Sequence, residues 1–166
     1  MATPAGILST RPESAIDGAF LFTLFESVKG PDIARMPVDD RMKVQLLHMQ
    51  YTAMTQSYRT SFATEAFNII TMDNTPVGRL ITEAIKGCIH IIYIALLPAW
   101  RHRGISSQLM RALLAEAQAR HLPCEATVAL DNIASLRLWT GLGFTEQSRD
   151  TANVILRWSP LSPNPV

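Results

Sequence analysis

The chain has 166 residues, of which 48% are hydrophobic and 17% charged, and its formal net charge is +1. That length suits a single domain with a sizeable core, and so apolar a composition excludes an intrinsically disordered chain. The near-neutral balance argues against a general nucleic-acid binder, which carries a basic face.

In chain order, the opening MATPAGILSTRPESA lacks the charged start and long apolar core of a signal peptide. Gly6 to Arg11 reads as a short strand. Pro12-Glu13 opens a helix with Phe20, Leu21, Leu24 and Val28 on one stripe, and Gly30-Pro31 stops it. A second helix runs from Val38 to about Tyr58. It carries two apolar stripes, Met42-Leu46-Met49-Ala53 and Leu47-Tyr51-Met54-Tyr58, which predict burial on more than one side. Asp32, Asp39 and Asp40 fall in the loop between the two helices. They fit a cationic ligand, and Asp39 or Asp40 equally fits a helix N-cap.

The pattern then turns to strands. Ala66–Thr71 and Pro76–Thr82 flank the turn signal Asp73-Asn74 and read as a hairpin. Gly87 interrupts, and Cys88 to Leu97 is nearly all apolar, as in a central strand covered on both faces. Cys88 and Cys124 show neither metal-ligand spacing nor a disulfide framework; two free thiols suit an intracellular protein, and no metal is expected. A helix spans Arg103 to Arg120, Pro123 precedes a strand that runs to Leu130, and a short helix covers Asn132 to Thr140, ended by Gly141 and Gly143. Phe144–Gln147 and Asn153–Trp158 close as strands. The expected organisation is one domain over 1–159 and a loose tail over 160–166, which holds three prolines in SPLSPNPV. This is an α/β chain with a mixed sheet. No apolar run spans a bilayer, so the reading is a soluble, cytoplasmic protein with no membrane or nucleic-acid partner.

The stretch PAWRHRGISSQLM concentrates cations around one glycine, without an acid, between strand and helix. A helix N-terminus offers unpaired N–H groups and partial positive charge, and glycine lets an anion approach the backbone. Gly104 with Arg101 and Arg103, beside His102, therefore reads as a phosphate cradle, or else as a solvated basic turn.

Arg101-His102-Arg103-Gly104-Ile105-Ser106 resembles the R/Q-x-x-G-x-G/A pyrophosphate loop of the GNAT superfamily of acyl-CoA-dependent N-acyltransferases. Ile94–Pro98 resembles the fourth strand that feeds that loop, and Asn132–Phe144 resembles the family's second signature, an Asn-led helix closing in L-G-F. The resemblance covers nearly the whole chain. It implies a mostly antiparallel sheet flanked by helices and splayed between the fourth and fifth strands. It also implies acetyl-CoA as co-substrate, with the pantetheine arm pairing to backbone groups of Ile94 and Leu96 and the diphosphate on the amides from Arg101 to Ser106. Ser106 stands where the family usually has Gly or Ala, a departure its small size tolerates, and the hydroxyls of Ser106 and Ser107 would be further phosphate donors. Asn132 is a cofactor contact, an N-cap, or both. The amide of Leu96 would serve the oxyanion.

The family's thiolate acid, a tyrosine, is replaced here by Trp139, whose indole either holds the sulfur or simply packs. His90 lies eleven residues before Arg101, where several members carry a glutamate base, and histidine suits proton acceptance; a histidine hydrogen-bonded within the sheet is the other reading. Glu83 is the second base candidate, while His48 reads as a helix-face residue. The resemblance thus implies transfer of an acetyl group to a primary amine of a small molecule or peptide, with a homodimer left open. An acyl-CoA-binding protein with weak or no transfer is the alternative, supported by Trp139.

Overall fold

The computed structural model describes residues 6–162. The elements follow in the order β1 (Leu8–Pro12), α1 (Gly18–Ala34), α2 (Asp40–Ser61), β2 (Phe67–Met72), β3 (Thr75–Ile85), β4 (Cys88–Leu96), α3 (Ile105–Ala119), β5 (Cys124–Ala129), α4 (Ile133–Gly141), β6 (Thr145–Arg149) and β7 (Asn153–Trp158). The seven strands form a mostly antiparallel sheet in the order β1-β2-β3-β4-β5-β7-β6, in which β4 and β5 run parallel. Helices flank it, as expected. Of the expected tail, 163–166 lies outside the described residues, as does MATPA at the other end.

The described chain folds as two compact units. One comprises residues up to Leu80 with Ile94–Arg101. Its β1 pairs antiparallel with β2, from Leu8↔Met72 to Pro12↔Asn68. The first helix departs from the sequence expectation at both ends. Pro12 closes β1, and the Glu13 amide donates to the Phe67 carbonyl at 3.1 Å, so the chain is still extended where a helix start was predicted. A 3-10 turn, Ala15–Asp17, intervenes, fixed by the Asp17 carboxylate, which accepts from the Ser14 amide and from Arg11. At the far end, the helix runs through Pro31 to Ala34, which also makes Asp32 helical rather than a loop residue. Proline in a helix costs about 3 kcal/mol. Burial of Ile33 against Phe25 and Leu47 offsets much of it, at roughly 1.5–3 kcal/mol per large apolar side chain.

Helix α2 starts behind Asp39, whose Oδ1 accepts from the Met42 amide at 2.8 Å. It buries one stripe, not two. Leu47, with Tyr51 and Met54, packs on Phe22, Phe25 and Ile33 of α1. Met42, Val44 and Met49 are exposed, because α1 covers only one side. His48 stacks on Phe22 with ring centroids 4.7 Å apart, a helix-face role. The β2–β3 hairpin turns at Asp73 and Asn74, both left-handed (φ 48° and 64°), a conformation that Asp and Asn tolerate best among side-chain-bearing residues. Gly78 of β3 faces the β4 backbone so closely that a Cβ there would lie 2.3 Å from the Ala95 carbonyl oxygen.

The other unit comprises Ile81–Tyr93 and the described chain from His102 onward. Lys86 and Gly87 form a two-residue turn between β3 and β4, with φ of 51° and 74°. Helix α3 buries Ile105, Met110, Leu114 and Ala117. β5 pairs antiparallel with β7 along its whole length, from Cys124↔Trp158 to Ala129↔Asn153. Its parallel pairing with β4 lasts only from Ile89↔Cys124 to Ile91↔Ala126, although β4 continues to Leu96. That is the splay. It also corrects the expectation of a strand covered on both faces: His90 and 92–95 are only half-buried. Leu161 exchanges two hydrogen bonds with the Gln118 side chain, at 2.8 and 3.1 Å.

Candidate active site

The basic turn lies between β4 and α3. His102 and Gly104 are left-handed, with φ of 59° and 76°, and Gly104 is the N-cap of α3. No side chain caps that helix, whereas Asp39 caps α2 and the Asn132 Oδ1 caps α4 by accepting from the Ser135 amide at 3.1 Å. The first bond into α3 runs from the Gln108 amide to the Gly104 carbonyl, so the amides of Ile105, Ser106 and Ser107 precede the intrahelical ladder. The space where a Cβ of Gly104 would sit is open within 4 Å. His102 and Arg103 are exposed beside it, and Ser106 and Ser107 are half-buried.

Arg101 is already engaged. Its Nε donates to the Leu96 carbonyl at 2.8 Å and its Nη2 to the Ser27 hydroxyl at 3.1 Å. It thereby clamps the end of β4 to α1. Ile94 and Leu96 lie on β4 past the point where β5 pairing ends.

Trp139 is 3% exposed and meets Phe144 edge-on, with ring centroids 5.0 Å apart. The packing reading of this residue therefore accounts for its surroundings. Asn132 is exposed and serves as a cap. Asp39 is likewise a cap, and Asp32 pairs with Arg35 at 3.8 Å, so two of the three acids expected to face a cation have local roles.

His90 and Glu83 lie in the same unit, both half-buried. The His90 side chain is 35% exposed, and its Nδ1 lies 3.7 Å from Oε2 of Glu125, beyond hydrogen-bond length but within ion-pair reach. The other oxygen of Glu125 accepts from Arg157 at 2.6 Å. These residues stand in a cross-strand row, since His90 is in register with Glu125 and Glu125 with Arg157. Cys88, two places before His90 on β4, completes the group. Burial pushes its thiol up, the Glu125 charge adds to the rise, and Arg157 partly counters it. Burial, with a smaller contribution from Cys88, pushes the Cys124 thiol up to about 11. Spacing along the chain does not reveal that Glu125 and Arg157 join His90, or that Cys88 faces them. The available signal was the C-x-H spacing Cys88-Ile89-His90, which shares one face only if the segment is a strand.

The sequence profile of the Acetyltransferase (GNAT) family matches residues 36–144. The chain belongs to the GNAT acetyltransferase family. No curated protein sequence matches it. Among solved structures it is similar to the PaiA N-acetyltransferase of Thermoplasma acidophilum, determined in complex with coenzyme A (16% identity, 92% of this chain and 99% of that one, TM-score 0.66). It is also similar to the ribosomal-protein-S18-alanine N-acetyltransferase of Escherichia coli (14% identity, 96% and 99%, TM-score 0.64). A third similar structure is YncA of Salmonella typhimurium, a putative acetyltransferase with its cofactor acetyl-CoA (15% identity, 95% and 96%, TM-score 0.56). At these identities the likeness is one of fold. Among the described residues, no helix is long and apolar enough to cross a membrane.

Proposed function

We propose that this protein is an N-acetyltransferase, moving an acetyl group directly from acetyl-CoA to a primary amine of a small molecule or peptide. The observation that carries the reading is the α3 N-terminus: a left-handed Gly104 cap, open space above it, and three amides with no side-chain cap. These groups suit a diphosphate, with His102 and Arg103 beside them and the Ser106 and Ser107 hydroxyls as further donors. Arg101, bound to Leu96 and Ser27, acts first by fixing the strand end that leads into the turn. The backbone groups of Ile94 and Leu96 pair the pantetheine arm as a missing strand neighbour would. The Leu96 amide donates to the oxyanion as the amine attacks the thioester carbon.

The attacking amine must be neutral. The imidazole of His90 takes its proton through water, and Glu83 is the second candidate for that task. The thiolate leaves without the family's tyrosine acid: Trp139 is packed in the core, and its indole N–H can donate a hydrogen bond but is too weak an acid to transfer its proton. Asn132 caps α4 and borders the cofactor through that helix start. One catalytic domain over 1–159 in the reducing cytoplasm, where Cys88 and Cys124 stay free, completes the reading.

The alternative is an acyl-CoA-binding protein with weak or no transfer. Trp139 is the residue that favours it. A thermal-shift series with acetyl-CoA, followed by a thiol-release assay over a panel of small amines and N-terminal peptides, separates the two. Stabilisation with amine-dependent thiol release supports the transferase. Stabilisation without release from any amine supports the binding protein, and no stabilisation refutes both.

A further inference from the structure

We propose that Cys88, His90 and Glu125 form a binding site for a zinc-class divalent cation. The placement follows from strand geometry. Alternation sets Cys88 and His90 on one face of β4, two residues apart, and the parallel register sets Glu125 of β5 beside His90. The Cys88 sulfur, a His90 ring nitrogen and a Glu125 carboxylate oxygen consequently all lie within 4.8 Å of one another.

The donor chemistry selects the ion. A thiolate and an imidazole disfavour calcium and magnesium, which want oxygen shells, and suit zinc. Tetrahedral zinc with bonds of roughly 2.0–2.3 Å holds neighbouring donors about 3.3–3.8 Å apart. The His90–Glu125 pair, at 3.7 Å, is already there. The remaining donor pairs, within 4.8 Å, need to close by up to about 1–1.5 Å, a movement of the size that side-chain rotation supplies. The Cys88 thiolate and the Glu125 carboxylate together balance the ion's charge, and the thiol proton leaves to solvent on ligation.

Arg157 strengthens the case. It holds Oε1 of Glu125 at 2.6 Å and leaves Oε2 for the ion, so the carboxylate is oriented before any metal arrives. The partial exposure of His90 and Glu125 gives an entry path and a fourth position for water. The site shares His90 with the acetyl-transfer reading, but its test reads metal uptake alone and so stands or falls independently. If His90 also accepts the amine proton, the two roles exclude one another, and metal loading competes with transfer.

The experiment titrates the purified full-length chain with Co2+, following thiolate-to-cobalt charge-transfer absorption, and then with Zn2+ by calorimetry. The expected result is one ion per chain, a charge-transfer band, and displacement of Co2+ by Zn2+. Cys88→Ser should abolish the band, and Glu125→Gln should weaken uptake at least tenfold. Loss of the outer partner in Arg157→Gln should weaken uptake roughly 10- to 100-fold. Absence of stoichiometric uptake overturns the proposal, as does uptake by Cys88→Ser with the band intact. Should Cys88→Ser fail to fold, judged by circular dichroism, the Glu125→Gln arm decides: unchanged affinity there overturns the site.

Discussion

Replacing Gly78 by alanine adds one methyl group where the structure has no room. The new Cβ would lie 2.3 Å from the Ala95 carbonyl oxygen and 2.7 Å from a Leu96 methyl, against an ordinary contact of at least 3.4 Å. The Leu96 methyl can rotate away, but the Ala95 oxygen belongs to the backbone of β4 and can yield only if the strand shifts by about 1 Å. Overpacking of this kind costs typically 1–3 kcal/mol, and a backbone obstacle puts this case near the upper end. For a chain of this size, a loss of about 2–3 kcal/mol lowers the melting temperature by roughly 4–12 °C. The same displacement moves the Ile94 and Leu96 groups proposed to pair the pantetheine arm. Loss of two such hydrogen bonds, at about 1 kcal/mol each, weakens acetyl-CoA binding by roughly 30-fold. Calorimetry with acetyl-CoA, and with the 3′-phospho-ADP portion that lacks the arm, tests this directly. Affinity for the fragment should hold while affinity for acetyl-CoA falls. A Gly78→Ala protein that melts with the wild type and binds acetyl-CoA equally well refutes the reasoning.

Gly104→Val should abolish acetyl-CoA binding while leaving the melting temperature in the absence of ligand within a few degrees, because no atom lies within 4 Å of the added Cβ although the φ of 76° penalises a branched residue; calorimetry and thermal melts check the two halves. His90→Ala should slow acetyl transfer about a hundredfold or more, the usual contribution of a general base, with acetyl-CoA affinity unchanged. A full rate in the thiol-release assay would move that role to Glu83 or to solvent. Asp17, buried and bonded first to Arg11, has its carboxyl lowered to about 2 from an ordinary 3.8. Its folded-state pKa is the lower one, so its contribution of about 2 kcal/mol is complete above pH 3.8 and fades as pH falls towards 2. Asp17→Asn should therefore be less stable than wild type at neutral pH, and the gap in chemical denaturation should narrow on acidification below the upper of those values.

The sequence announces the basic strand-to-helix turn because its determinants are local. A glycine between cations, at a strand-to-helix boundary, states both the backbone conformation and the charge within seven residues, and the Asn132 cap and the Asp73-Asn74 turn are legible for the same reason. What escapes is set by contacts distant in the chain. Pro31 reads as a stop until the burial of Ile33 against Leu47 is known. The two apolar stripes of α2 look alike, and only the placement of α1 decides that Leu47 is covered and Met49 is not. Arg101 reads as a phosphate ligand, while its nearest acceptors are Leu96 and Ser27. The trio of Cys88, His90 and Glu125 depends on strand register, which residue spacing along the chain does not encode.

The methionines sort by oxidant exposure. Met72 and Met110 are sealed in the core, whereas Met36, Met42 and Met49 stand exposed on or just before α2. Among the described methionines, a mild peroxide challenge would reach those three first and turn a thioether face into a sulfoxide face. Because none of them packs in the cluster of Phe25, Ile33 and Leu47, that conversion would raise the polarity of the helix and spare the packing beneath it. Surface oxidation would register as added mass well before it registered as lost structure, leaving a chain that stays repairable by sulfoxide reduction.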